Sequence, residues 1–285
     1  MSQPAHLTKH ISVLSYPFAD SAFLLTQLSD GVSNGTALWL GGQCLALYLA
    51  QMHSKFTPAN SSHPPRAIEL GSGIGLTAFV TPHHYFQSNS ILFFISLALA
   101  SLGWDVLATD ISHVISSVLD KNIKNNLSAL PIGSGRIQIR ELDWCISPEN
   151  WTWNHELAIA SHTDLPSSAH SSELLCPPFD LIFSADTVYS MELVQPMLAT
   201  LHALSKLSAS HPSSTHFPPI LLCIERRDPP LVDHLLSDAK DNWNFRVERI
   251  PHRKFVKIVE KGTQWNRSDW DDVELWKLQL HDTTT

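Results

Sequence analysis

The sequence predicts an α/β fold: a mostly parallel sheet with helices on both faces, closed at its C-terminal end by an antiparallel hairpin. Three observations carry this expectation. Short, near-continuous apolar runs alternate with helical stretches, the pattern of strands buried on both faces. A glycine-rich turn, Gly71-Ser72-Gly73-Ile74-Gly75, ends the first such run and opens a helix, and the second run ends in an acid, Asp110. The last third of the chain changes style, with two strand-like runs separated by Arg/Lys-rich sequence of weak helical periodicity.

In chain order, the expected strands are residues 67–70, 105–109, 137–142, 179–184 and 220–225. Helices are expected from Gly75 onward and over 113–126, 191–207 and 231–241. Ser112 is placed to cap the second helix, and Pro229-Pro230 precede the last. Residues 245–250 and 273–280 suit the closing hairpin. Strand–helix alternation implies parallel pairing with helices on both faces. Ligands on such sheets bind beyond the carboxyl ends of the strands, so the informative residues belong there. Polar punctuation at 57–65, 81–90, 147–178 and 208–219 separates no two complete cores and reads as loops. We therefore expect one domain over 1–285, with an N-terminal extension and helix in 1–60 and the core in 66–285.

Composition removes several function classes. Lys+Arg 19 against Asp+Glu 27 gives a net charge of −8, so no basic excess points to nucleic acid as the main partner. The longest apolar run, 91–102, falls well short of the roughly twenty residues of a membrane span, and the first fourteen residues do not read as a signal peptide. Cys44, Cys145, Cys176 and Cys223 lie far apart without a C-x-x-C, which argues against a disulfide framework or a zinc site and suits a reducing compartment. No metal ligand pattern is visible among the sixteen histidines.

The glycine turn points to a nucleotide-type cofactor, because glycines let the backbone turn tightly and approach a ligand closely. An acid at the tip of the second strand, Asp110, is where a ribose hydroxyl is usually held. The dinucleotide fingerprint needs its third glycine three residues after the second, at Leu76; here the glycine is Gly75. The pattern Glu69-Leu70-Gly71-Ser72-Gly73-Ile74-Gly75 thus fits a cofactor without a pyrophosphate better than NAD.

Taken with four further segments, this stretch resembles the class I S-adenosylmethionine-dependent methyltransferases, in the family-16 group of seven-strand protein-lysine methyltransferases. The segments are Asp110; Leu142-Asp143-Trp144; Ser184-Ala185-Asp186-Thr187-Val188-Tyr189, which carries a D-x-x-Y signature; and an N-terminal stretch around Trp39. The resemblance covers nearly the whole chain and implies a Rossmann-like seven-strand fold. It implies S-adenosyl-L-methionine as cofactor, held by Trp39, Glu69, Gly71, Ser72, Gly73, Gly75, Asp110, Trp144 and Ala185. It implies a cytoplasmic monomer acting on a protein substrate, with no nucleic acid and no membrane. Glu225-Arg226-Arg227-Asp228-Pro229 and Val273-Glu274-Leu275-Trp276-Lys277-Leu278 further resemble the fungal branch that methylates a lysine of translation elongation factor 1-alpha.

Methyl transfer to an amine needs positioning and loss of a proton from an ammonium of pKa about 10.4. Asp186 is expected to orient that ammonium by a charge-assisted hydrogen bond, and Tyr189 to wall the lysine stem. The competing expectation makes Asp186 the N-cap of the helix that follows it, a role an asparagine would fill equally well. Asp143 is expected to cap or turn. Two other function classes compete with the leading one: a cofactor-binding module with little turnover, and a small-molecule N-methyltransferase.

One segment breaks the pattern. Gly75 and Asp110 are 35 residues apart, against about 20 in an ordinary βαβ unit. Removing residues 79–96 leaves a continuous amphipathic helix leading into the second strand. A genuine insertion and a translated unspliced intron both account for these eighteen residues. Ser88-Asn89 can be encoded with a branch-point-like CTAAC, and residues 93–96 with a pyrimidine-rich stretch ending in AG.

Overall fold

The computed structural model describes residues 3–18, 21–28, 34–58, 63–75, 96–163, 173–210 and 217–281. Leu76 and residues 79–95 of the pattern-breaking segment lie outside them. An antiparallel pair, β1 (Val13–Phe18) and β2 (Ser21–Thr26), precedes the helix α1 (Leu40–Met52). There follow β3 (Arg66–Leu70), α2 (Ser96–Ser101) and β4 (Asp105–Asp110). Helix α3 (Ser112–Val114) continues through a π turn, Ile115–Leu119, into α4 (Asp120–Asn126). Next come β5 (Ile137–Leu142), β6 (Ala158–Ala160), β7 (Leu181–Ala185), α5 (Val194–Ala209), β8 (Ile220–Glu225) and α6 (Pro229–Asp241). The chain closes with β9 (Phe245–Arg249), α7 (His252–Gly262) and β10 (Val273–Leu280).

Eight strands form one sheet in the order β6-β5-β4-β3-β7-β8-β10-β9. The pairs from β6 through β8 are parallel, and β10 is antiparallel to both β8 and β9. This is the expected Rossmann-like, mostly parallel architecture. Chain order reverses at β3, which has β4 on one side and β7 on the other, and that reversal opens a crevice at the strands' carboxyl ends. Alternate side chains feed two cores, as the two-residue period of a strand requires. Leu181 and Phe183 join one core with α1 and α7, while Ile182 joins the other with α5 and α6. Helix α1 is apolar on nearly all sides, with eleven of its thirteen residues buried, so it lies within the core rather than on it.

Several expectations change. The two C-terminal strands pair antiparallel as expected, with helix α7 carried in the connection between them and β10 inserted between β8 and β9. Its buried Phe255, Val256, Ile258 and Val259 carry a helical period that Arg253, Lys254, Lys257 and Lys261 interrupt in the one-dimensional text. Ser112 does not cap a helix; it is the first residue of α3, preceded by Ile111 in extended conformation. Pro229 and Pro230 open α6 rather than precede it, where their missing N–H groups would be unpaired anyway, and Asp228 caps it by accepting from Leu231 N at 3.1 Å. The β1–β2 pair was not expected, nor was β6, an edge strand of three buried residues inside the 147–178 loop.

Candidate active site

A cleft of about 720 Å³, counted to its open mouth, lies at the reversal point. Trp39, Gly71, Gly73, Asp110, Trp144 and Ala185 line it, together with Asp186 and Tyr189. The sequence placed all eight in the site.

The glycine turn forms the floor. Gly71 and Gly73 have φ of +67° and +58°, a left-handed backbone that side chains rarely adopt. Space excludes them as well: a Cβ on Gly71 would sit 2.4 Å from the Thr187 methyl group. The other predicted turn residues brace this floor without lining the cleft. Ser72 N donates to Thr109 O at 2.9 Å, and its Oγ accepts from Thr109 N at 3.1 Å. Glu69 is buried on β3, its carbonyl accepting from Thr109 Oγ1 at 2.6 Å. A Cβ on Gly75 would meet Leu119 at 2.6 Å, so this glycine lets the π turn close in.

Asp110 ends β4 with Oδ2 accepting from Gly73 N and Oδ1 from Ile111 N, both at 2.8 Å. Each carboxylate oxygen has a second lone pair for a further donor. Burial lifts the carboxyl to about 6, against the pull of those two N–H groups. Opposite, Trp144 follows β5 and sits near Gly71. Asp143 makes the expected turn, accepting from Cys145 N at 2.8 Å, and also reaches the cleft wall.

Asp186 follows β7 at a φ of +52°. Its side chain has no exposed surface and is shared between two elements: Oδ2 accepts from Gly41 N at 2.6 Å, and Oδ1 from Glu225 N at 2.7 Å. Gly41 is the second residue of α1, so Asp186 caps a helix, but not the one that follows it. The downstream turn Met191–Leu193 is preceded by Ser190 instead. A Cβ on Gly41 would lie 2.6 Å from the carboxylate, which explains a glycine there. Burial raises the Asp186 pKa, opposed by the Glu225 N–H, by the Arg227 guanidinium 3.9 Å away, and by Gly41 N–H. Arg227 also lies 4.4 Å from the Trp39 ring, tying the two segments together. Tyr189 stands 56% exposed at the mouth, where it can meet a macromolecule.

Sequence reasoning missed Ile111, Val114, Cys145 and Leu193 on the wall, while Gly35, Leu142 and Thr187 entered only as members of the resembling segments. Thr187 was legible as the residue inside D-x-x-Y; its Oγ1 meets Ser184 Oγ at 2.6 Å. Gly35 opens the stretch 35–47 that carries the N-terminal resemblance around Trp39. Among the described residues no group of three or more His, Cys, Asp or Glu is arranged to hold a metal. No helix among them is long and apolar enough to cross a membrane.

The cleft fits an adenosyl cofactor on its own geometry: a floor without side chains, a buried acid with acceptor capacity left, and an indole at the side. The match to a family model agrees with this. The chain matches the family described as lysine methyltransferase over residues 19–231. It is 22% identical over 239 residues to human methyltransferase-like protein 22, covering 79% of this chain and 48% of that protein, so it spans about half of that relative's length. Among solved structures it is similar to human methyltransferase 10 domain containing protein, at 11% identity and a TM-score of 0.40, covering 82% of this chain and 80% of that one. A methyltransferase from Pyrococcus furiosus gives 11% identity and 0.38, covering 81% and 83%. The N-terminal domain of human METTL16 in complex with SAH gives 12% and 0.40, covering 82% and 68%. The chain belongs to the lysine methyltransferase family, whose methyl donor is S-adenosylmethionine.

Proposed function

We propose that this protein methylates a lysine ε-amine on a folded, non-histone protein. The observation that carries the reading is the meeting of the glycine turn, Asp110, Asp186 and Tyr189 in one cleft whose mouth is open. When bound, S-adenosylmethionine supplies an electrophilic methyl group on a sulfonium. Gly71 and Gly73 would let the backbone close on it, Asp110 would accept from its ribose hydroxyls, and Trp144 and Trp39 would flank it. The acceptor lysine enters past Tyr189, whose exposed ring covers the side-chain stem. Asp186, buried behind the cleft wall, attracts the ammonium by its charge and fixes the start of α1 and the end of β8 around it. Burial and the neighbouring positive charge favour loss of the ammonium proton to solvent, while Asp186 opposes it, so Asp186 orients more than it deprotonates.

The Glu225–Pro229 and Val273–Leu278 resemblance makes translation elongation factor 1-alpha the first acceptor to test. Calorimetry with S-adenosylmethionine, and radiolabel transfer into whole lysate and into that purified factor, test the reading. A labelled protein band whose label lies on lysine supports it. Binding without label leaves a cofactor-binding module, and label confined to the small-molecule fraction leaves a metabolite methyltransferase; either overturns it.

A further inference from the structure

A lysine of the chain itself packs on one of the indoles that line the cleft. Lys9 Nζ lies 3.3 Å from the centroid of the Trp39 ring, and Trp39 and Asp186 both line the cleft. This placement is built rather than incidental. Gln27 is buried, and its Nε2 donates to the carbonyls of Thr8 at 3.0 Å and Ile11 at 2.9 Å, on either side of Lys9. The same amide's Oε1 accepts from Leu38 N at 2.8 Å, one residue before Trp39. One side chain therefore staples the Lys9 loop to the segment before α1 that carries the indole. A second buried amide repeats the device: Gln43, on α1, accepts from Ala5 N at 2.8 Å and donates to Gln3 O at 3.1 Å. Two buried glutamines that spend their hydrogen bonds on one short terminal segment fix where that segment sits, since a buried amide left unsatisfied is costly.

We propose that Lys9 is an acceptor of this enzyme, methylated in cis by the chain that carries it. The inference rests on the lysine-methylating reading above. The neutral Lys9 amine attacks the methyl carbon of S-adenosylmethionine. The N–C bond forms as the C–S bond breaks, the bonding pair goes to sulfur to leave S-adenosylhomocysteine, and the nitrogen becomes a methylammonium, the ammonium's one proton having gone to solvent before attack. Burial and then the Arg227 guanidinium pull the Lys9 ammonium below the ordinary lysine range, with Glu225 and Asp186 opposing, which favours the neutral amine. An aromatic face also retains the product, because a methylated ammonium keeps its attraction to the ring quadrupole.

The test incubates purified full-length chain with isotopically labelled S-adenosylmethionine, alone and with lysate, followed by peptide mass spectrometry. Label on Lys9, first order and unchanged on dilution, supports the proposal, and Lys9→Arg then loses all label at that position. Label on lysate lysines with Lys9 bare overturns this inference and leaves the proposed function standing. No label on any lysine overturns both. A Lys9 rate that falls on dilution, or label only on another lysine of the chain, overturns the in-cis assignment. A readout independent of turnover is the proton spectrum of the cofactor-free protein. There the Lys9 ε-methylene resonance, assigned by its loss in Lys9→Arg, lies upfield of the other lysines through the Trp39 ring current. An unshifted resonance removes the seated geometry and the proposal with it.

Discussion

Replacing Asp186 by asparagine keeps the side chain's size and removes one charge and one acceptor. On sequence grounds Asn would cap as well as Asp, so the substitution would touch only chemistry. The structure changes that expectation, because the carboxylate accepts from two backbone N–H groups on different elements, Gly41 on α1 and Glu225 at the end of β8. An amide has one acceptor oxygen. Either N–H must then face an –NH2 in a site with no solvent, and a buried donor left unpaired costs about 1–3 kcal/mol. The lost charge near the half-exposed Arg227 adds little, since exposed pairs contribute about 0–1 kcal/mol. We expect Asp186→Asn to be destabilised by about 2 kcal/mol, read as a lower urea midpoint with unchanged slope. Turnover of the folded fraction should fall roughly a hundredfold, the usual result of misplacing a reacting group by about 1 Å. Cofactor affinity by calorimetry should change much less. A wild-type urea midpoint would refute the two-acceptor geometry, and wild-type methyl transfer would refute the orienting role.

Gly71→Ala meets both a φ of +67° and the Thr187 methyl at 2.4 Å. Strain of this kind costs on the order of 1–3 kcal/mol, and Thr187→Ser should recover the clash portion; additive stabilities in the double-mutant cycle would show that the two do not touch. Asp110 links pH to cofactor binding. With its carboxyl at about 6, it gains its charge as pH rises through that value, so affinity should increase across pH 6 and then level off, and Asp110→Asn should bind weakly at every pH. The same shift makes the native state hold the proton more tightly than the unfolded chain, so this group's contribution to stability falls as pH rises from 3.8 to about 6. A flat calorimetric pH profile would contradict the assignment. Deleting residues 79–96 should give a folded protein that still binds S-adenosylmethionine, because the remainder reads as one helix between β3 and β4; an unfolded product would show the segment to be an integral part of the domain.

Much of the fold was legible because it is written in local pattern. The runs that became β3, β4, β7 and β8 are buried on both faces, so they are mostly apolar and easy to read, whereas β5 carries Gln138, Arg140 and Glu141 and is only partly buried. The glycine turn was legible because its backbone conformation and close contacts admit little else at Gly71 and Gly73. Asp110 and Asp186 were legible by place, since each follows such a run and a parallel sheet presents its ligands there. Helix α7 was not, because its basic face interrupts the apolar text and only docking against α1 shows the stripe as continuous.

The sequence by itself determined the core strands, the helices between them, the residues at the strand tips and the chemistry that suits them. Tertiary structure alone decided what each of those residues touches. Asp186 reads locally as the cap of the next helix. In the folded chain it lies beside the start of α1, 145 positions away, because β7 and β8 bring their ends together over that helix. Lys9 and Trp39 are likewise thirty residues apart in the text. The buried Gln27 brings them into contact, by an arrangement of long-range hydrogen bonds that leaves no periodic signal in the sequence.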